Sequence, residues 1–172
     1  VARIAPSPKV ARRLIDNVIY QQMSRKLAGT LEYTAVEKLH ELYTNSDFDL
    51  IIVETSGIGQ GSSAITEVSD IHVYGMTPEY GAASQLEKID MLDFADMVVI
   101  NKFDRRGAED ALRDVSKQVQ RNRQAFEQSP DDMPVFGSVA AQFNDPGVNA
   151  AYRCLMQLAD KHQGRSFKSS VA

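Results

Sequence analysis

An α/β architecture built on a mostly parallel sheet is what this sequence predicts, and three features carry that prediction. Short β-branched runs alternate with stretches whose apolar residues recur every three or four positions. The runs are nearly continuous in apolar character, as expected of strands covered on both faces. Each run is followed by residues that favour turns, where sheets of this kind bind ligands beyond the carboxyl ends of their strands.

The elements follow in order. Between Pro8 and Leu27, the residues Ala11, Leu14, Ile15, Val18, Ile19 and Met23 mark one face of a helix that Gly29 ends. Thr30 caps a second helix carrying Leu31, Ala35, Leu39 and Leu42, broken at Asn45-Ser46-Asp47. The run Phe48 to Glu54 reads as a buried strand, and Gly57, Gly59 and Gly61 lie in the loop behind it. Ile71–Met76 fits a second strand, and Ala82, Leu86 and Ile89 mark a helix. Ala95–Ile100 is a third strand. A long helix then runs from Ala108 to about Phe126, and Met133–Ser138 is a fourth strand. Val148, Tyr152, Leu155 and Ala159 mark the last helix, and the residues from Gly164 to Ala172 read as a frayed tail.

Composition bounds the function. The 172 residues are 43% hydrophobic and 24% charged, with a net charge of −4, an ordinary globular mixture for one domain. Mild acidity gives no support for nucleic acid or an anionic membrane as partner. One cysteine, Cys154, excludes an internal disulfide and a thiolate-cluster metal site. No apolar run approaches the roughly 18–20 residues that span a bilayer. No secretory signal is visible, so a cytoplasmic protein is expected. The first residue is Val rather than Met, which is expected of a piece of a longer polypeptide.

The strongest motif is Asn101-Lys102-Phe103-Asp104, directly after the third strand. An aspartate here fits guanine, because one carboxylate accepts from both N1–H and the exocyclic amine of that base. Adenine offers a different edge and leaves a polar group unpaired. The Asn braces the loop and the Lys stem lies across the base. The bland alternative is a turn without a ligand. The second motif is Glu54-Thr55-Ser56-Gly57 after the first strand. A carboxylate ending a buried strand needs a partner, and a nucleotide-bound Mg²⁺ is the expected one. Gly57 lets its backbone N–H approach a terminal phosphate. A solvated Glu before a flexible loop is the alternative. In Ser138-Val139-Ala140 a backbone N–H can reach the base carbonyl, although small residues also suit any tight strand exit.

Other residues read as structural. His72 sits in a strand pattern, Cys154 lies on an apolar helix face, and Arg105-Arg106 are most simply solvated charges. Glu87, Asp90, Asp93 and Asp96 read as a solvated helix face rather than a metal site.

These motifs carry a resemblance. ETSGIGQ, MTPEYGAASQLEKIDMLDFAD, INKFD, GAEDALRDV, MPVFGSVA and QFNDPG, over about residues 47–160, closely resemble the G domain of the MeaB/ArgK-type GTPases. The likeness is strongest to the version in fused isobutyryl-CoA mutases. It implies a three-layer SIMIBI-type P-loop NTPase fold that hydrolyses GTP with Mg²⁺. It also implies an adenosylcobalamin-dependent acyl-CoA mutase as partner, an isobutyryl-CoA or methylmalonyl-CoA mutase whose cofactor loading the GTPase chaperones and protects. By the same resemblance Glu54 is the acid near Mg²⁺ and Gly57 senses the γ-phosphate. Asn101, Lys102 and Asp104 hold guanine. Pro78 to Asp90, with Gln85, Glu87 and Lys88, forms a switch toward the mutase.

Two departures accompany it. No G-x-x-x-x-G-K-[ST] phosphate loop occurs anywhere in the chain. The stretch VARIAPSPKVARRLIDNVIYQQMSRKLAGTLEYTAVEKLHELY resembles ArsA-like anion-transporting ATPases instead. The expected organisation is a helical segment over 1–46, a partial GTPase domain over 47–163 and a tail over 164–172. Lacking the P-loop strand, the strands at Val53 and Val99 are expected to pair directly or to leave a groove for another chain. Marginal stability and homo-oligomerisation are expected consequences. A catalytically silent binding remnant and an ArsA-like ATPase fragment are the competing readings.

Overall fold

The computed structural model describes residues 30–45, 48, 50–55, 64–81, 86 and 89–164, with side chains in the first segment from residue 37. They fall into two compact units. The first contains α1 (Thr30–Asn45), residues 50–55 and residues 67–69. The second contains β1 (Val73–Met76), α2 (Met91–Phe94), β2 (Met97–Asn101), α3 (Ala108–Asn122), β3 (Val135–Ser138) and α4 (Pro146–Gln163). The three strands form one parallel sheet in the order β1-β2-β3. The alternation of strand and helix expected from the sequence is therefore present. The helix expected between Pro8 and Leu27 and the glycine loop after Glu54 lie outside the described residues, as does nearly all of the tail.

β2 organises the second unit. Val98 and Ile100 project from one face and Met97 from the other, and all three are buried. Val98 and Ile100 join Met76, Leu86, Leu92, Ala95, Val115, Val119, Met133 and Val135 in the core. Val115 and Val119 come from α3, whose buried residues Ala108, Ala111, Val115, Ser116 and Val119 fall at helical spacing on one face. Glu109 and Asp110 in its first turn and Arg121 in its last complement the helix dipole. α3 stops at Asn122, short of Phe126, where Gln124 takes a left-handed φ of 54°. The Arg123 guanidinium then donates to the carbonyls of Ala95 (2.9 Å) and Asp96 (2.7 Å), which ties the end of α3 to the residues leading into β2.

α4 begins where Asp145 accepts a hydrogen bond from the Val148 N–H at 2.7 Å, with Pro146 in the first turn. Gly164, at φ 61°, ends it. His72 and Asp96 brace the opposite end of the sheet. The His72 N–H donates to Asp96 Oδ2 at 2.8 Å, and the Asp96 N–H returns to the His72 carbonyl at 2.9 Å. His72 lies just before β1 rather than in the expected strand Ile71–Met76, and its bonds to Asp96 give it a bracing place there.

Two expectations are corrected. Residues 50–55 belong to no strand, and Ile52 is 82% exposed. A parallel strand needs a neighbour for its backbone groups, and none is paired with this run among the described residues. Nor does Val99 pair with Val53. Its register partners are Gly75 on β1 and Phe136 on β3, so both edges of β2 are occupied by the strands that flank it in sequence. The helix expected around Leu86 is present at Leu86 itself, which is helical and buried; residues 82–85 and 87–88 lie outside the described set.

Ile100 has no exposed surface, so Ile100→Ala is expected to cost about 2–5 kcal/mol. Ile52→Ala, at an exposed position, is expected to stay within about 0.5 kcal/mol. Urea denaturation of both variants checks the pair; a large loss in Ile52→Ala would restore the buried-strand reading of residues 50–55.

Candidate functional site

Parallel strands place all their carboxyl ends at one edge of a sheet. Here three connections meet there: residues 77–81 after β1, residues 102–107 after β2 and residues 139–145 after β3. Asn101 and Ser138 are register partners at the ends of β2 and β3. The two polar motifs that the sequence places 37 residues apart therefore start side by side.

Asn101 joins them. Its Oδ1 accepts from the Lys102 N–H at 2.8 Å and from the Ala140 N–H at 3.1 Å. The Phe103 N–H donates to the Ser138 carbonyl at 3.0 Å, a third tie between the same loops. The first of these bonds accompanies a left-handed turn, since Lys102 has φ 60°, a conformation a lysine rarely adopts. The Arg105 N–H closes the turn onto the Lys102 carbonyl at 3.0 Å. The side chains of Lys102 and Asp104 are left exposed, with no hydrogen bond or ion pair among the described residues. A carboxylate held on a braced turn, with both oxygens open, can accept two donors side by side.

Phe103 points the other way and packs on the core. Its ring lies against Gly137, where any Cβ would collide with it, and a Cβ on Gly147 would collide with the Gly137 carbonyl. The two glycines let the Phe103 ring, β3 and the start of α4 close up around Gly137. The second loop is itself turned by the Gln142 N–H on the Val139 carbonyl at 2.8 Å, and Phe143 beyond it is 97% exposed.

The connection after β1 reaches the same place. Glu79 pairs with Arg105, the residue after the tetrad. Its carboxyl is held down at about 2, first by the Thr77 hydroxyl, then by its own backbone N–H and by Arg105. Arg105 is therefore a paired residue rather than the solvated charge the sequence suggested. Only its position beside the tetrad marked it, because Glu79 lies 26 residues earlier. Phe103 was the other omission, and Gly137 inside a strand was its signal.

The remaining candidates are placed as follows. Asn101, Lys102, Asp104, Ser138, Val139 and Ala140 come together in the second unit. Glu54 lies in the first unit, exposed on residues 50–55. Gly57, Gln85, Glu87 and Lys88 lie outside the described residues. Asp90 is exposed just before α2. Among the described residues no group of three His, Cys, Asp or Glu side chains is arranged to hold a metal ion. Cys154 is half-buried, and burial raises its pKa against the pull of Arg123, which makes it a poor nucleophile. Among the described residues no helix is long and apolar enough to cross a membrane.

Comparison with known proteins gives the same direction. Residues 14–161 match the family described as methylmalonyl-CoA mutase-associated GTPase MeaB. That match starts at residue 14, inside the segment for which an ArsA-like ATPase relationship was expected. A fused isobutyryl-CoA mutase of Paraburkholderia xenovorans is 66% identical over 119 residues, which are 69% of this chain and 9% of that protein. A second, of Cupriavidus metallidurans, is 54% identical over 140 residues, 81% of this chain and 13% of that protein. A putative GTPase of Caulobacter vibrioides is 37% identical over 57 residues, 33% of this chain and 18% of that protein. The chain thus spans about a tenth of the fused mutases it matches. With a family match across most of its length and a parallel α/β sheet that fits part of the expected fold, the chain belongs to the MeaB family of GTPases.

Proposed function

We propose that this chain is the base-recognising part of a G domain that serves a cobalamin-dependent acyl-CoA mutase. One observation carries the reading. The Asn101 carboxamide locks the loop after β2 to the loop after β3 and leaves Lys102 and Asp104, two positions apart in sequence, both open. Asp104 accepts N1–H and the exocyclic amine of guanine, Lys102 lies along the base, and a backbone N–H of Ser138-Val139-Ala140 meets the base carbonyl.

GTP and GDP are the nucleotides of this reading. Glu54 serves as the carboxylate near Mg²⁺ and Gly57 as the γ-phosphate sensor. Gln85, Glu87, Lys88 and Asp90 form the switch surface. The partner is an acyl-CoA mutase: an isobutyryl-CoA mutase, as the fused relatives are named, or a methylmalonyl-CoA mutase, as the family description has it. Adenosylcobalamin enters only through that partner, whose loading the GTPase would chaperone. The absent G-x-x-x-x-G-K-[ST] sets the boundary of the proposal. Hydrolysis by water at the γ-phosphate requires that cradle from other sequence or from another subunit of a homo-oligomer. The same absence favours the second reading, a catalytically silent module that docks a mutase.

Calorimetric titration with Mg·GDP and Mg·ADP separates the readings. Binding of GDP but not ADP is expected. Preference for ADP would favour an ArsA-like ATPase fragment, and no binding by a folded chain would leave the docking module. Asp104→Asn is expected to weaken GDP by about tenfold or more, and to strengthen xanthosine diphosphate, whose edge reverses the requirement. Unchanged affinities in that variant would sink the base assignment.

Asn101→Ala removes one acceptor from two amides. A several-fold loss of GDP affinity and faster hydrogen exchange at Ala140 are expected, with little loss of stability because Ala140 is exposed and its N–H can turn to water. A large drop in the urea midpoint with unchanged GDP affinity would mean that Asn101 is only structural.

A further inference from the structure

The pair formed by Glu79 and Arg105 joins two loops that the function has to coordinate. Arg105 is fixed from its own side. Its N–H closes the turn that carries Asp104, and its carbonyl accepts from the Ala108 N–H at 3.2 Å, the first residue of α3. Glu79 is fixed from the other side. It sits in the single 3-10 turn Pro78–Tyr80, which the Tyr80 N–H closes on the Thr77 carbonyl at 3.1 Å and the Gly81 N–H on the Pro78 carbonyl at 3.1 Å. Gly81 lies flush against α3, where a Cβ would collide with Ala111. The contacts form a closed circuit: Arg105 to α3, Ala111 to Gly81, Gly81 to Glu79, and Glu79 back to Arg105.

We propose that Glu79 and Arg105 are positioning residues, and that their ion pair couples the order of the base-holding loop 102–107 to the order of residues 77–81. The proposal rests on the guanine reading for its functional consequence, because residues 77–81 open the segment assigned to the switch. Both side chains are half-exposed, so the pair is screened and its contribution is modest. The Gly81–Ala111 contact does not depend on the pair, so variants at either position remain folded while the two loops lose order. Coupling is reciprocal. A base bound on Asp104 protects the amides of Tyr80 and Gly81, and a partner that holds residues 77–81 tightens the nucleotide.

Charge exchange tests this on the 172-residue chain. In Glu79→Arg, amide hydrogen exchange across residues 102–108 is expected to speed up by about two- to fivefold, the range an exposed pair supports. In Arg105→Glu the same change is expected across residues 77–81. The double variant Glu79→Arg/Arg105→Glu is expected to restore both, and to restore any loss of GDP affinity seen in the single variants. That recovery also excludes a direct effect of the new carboxylate at position 105 on the nucleotide, since the double variant keeps it. Unchanged exchange in the opposite loop, or no recovery in the double variant, overturns the coupling. Asp104→Asn is run alongside. If it loses GDP while the charge variants exchange as the wild type does, the coupling alone falls. If it changes nothing, or if the wild-type chain binds no GDP, the guanine reading falls and the exchange data decide the coupling by themselves.

Discussion

One acceptor atom, Asn101 Oδ1, determines the shape of the candidate site. It takes the N–H of the next residue in its own loop and the N–H of Ala140 in the neighbouring one. Two amides at the ends of adjacent parallel strands would otherwise turn to water independently, and the loops would sample separate conformations. Sharing one carboxamide oxygen makes them a single body. Lys102 takes a left-handed φ beside that bond, and this turn sets Phe103 and Asp104 on their courses. Strain in a sparsely populated backbone region persists only where the surroundings over-determine it. Here Asn101, the Ser138 carbonyl and the seating of Phe103 against Gly137 all act on the same short turn.

That bracing works only because the sheet beneath it is rigid. β2 has a hydrogen-bonded strand on each edge and buried side chains on each face, so it has little freedom to shift. The register Asn101↔Ser138 then follows from the core pairings below it, Val98 with Val135 and Ile100 with Gly137. A slip by one residue would carry Val98 and Ile100 to the other face and separate Asn101 from Ala140 at the same time. The buried apolar pattern of β2 and the polar geometry at its end are therefore one constraint. Gly137 links the two, because the residue that pairs with Ile100 is also the one whose missing side chain admits the Phe103 ring.

Much of this was legible in the sequence, for reasons that differ by element. Met97–Ile100, Val135–Ser138 and the helix at Ala108 were visible because burial imposes periodicity, and periodicity is a local signal. The tetrad was visible because its residue types are needed at fixed spacing on a turn after a strand. Residues 50–53 misled for the same reason that the others did not. Leu50-Ile51-Ile52-Val53 has the composition of a buried strand, but composition states only what a strand would require. Pairing is non-local, and no partner is present among the described residues. Glu79 and Arg105 were illegible in the opposite sense. Each is an ordinary surface charge in its own window, and only the side-by-side exit of β1 and β2 brings them together.

The division into two units bears on how a chain without a phosphate loop can still be selective. Asn101, Lys102, Asp104 and residues 138–140 all belong to the second unit, while Glu54 belongs to the first. Selectivity for a base is a difference between two affinities, and contacts common to both nucleotides cancel from it. Phosphates and their Mg²⁺ are common to guanine and adenine nucleotides, so whatever holds them raises both affinities alike. The base edge is not common, and the groups proposed to read it are braced by bonds within the second unit alone. On the proposed guanine reading, selectivity for the base would therefore reside in this unit even at low absolute affinity. Hydrolysis cannot be separated in the same way, because it needs the phosphate contacts in the transition state as well as the base.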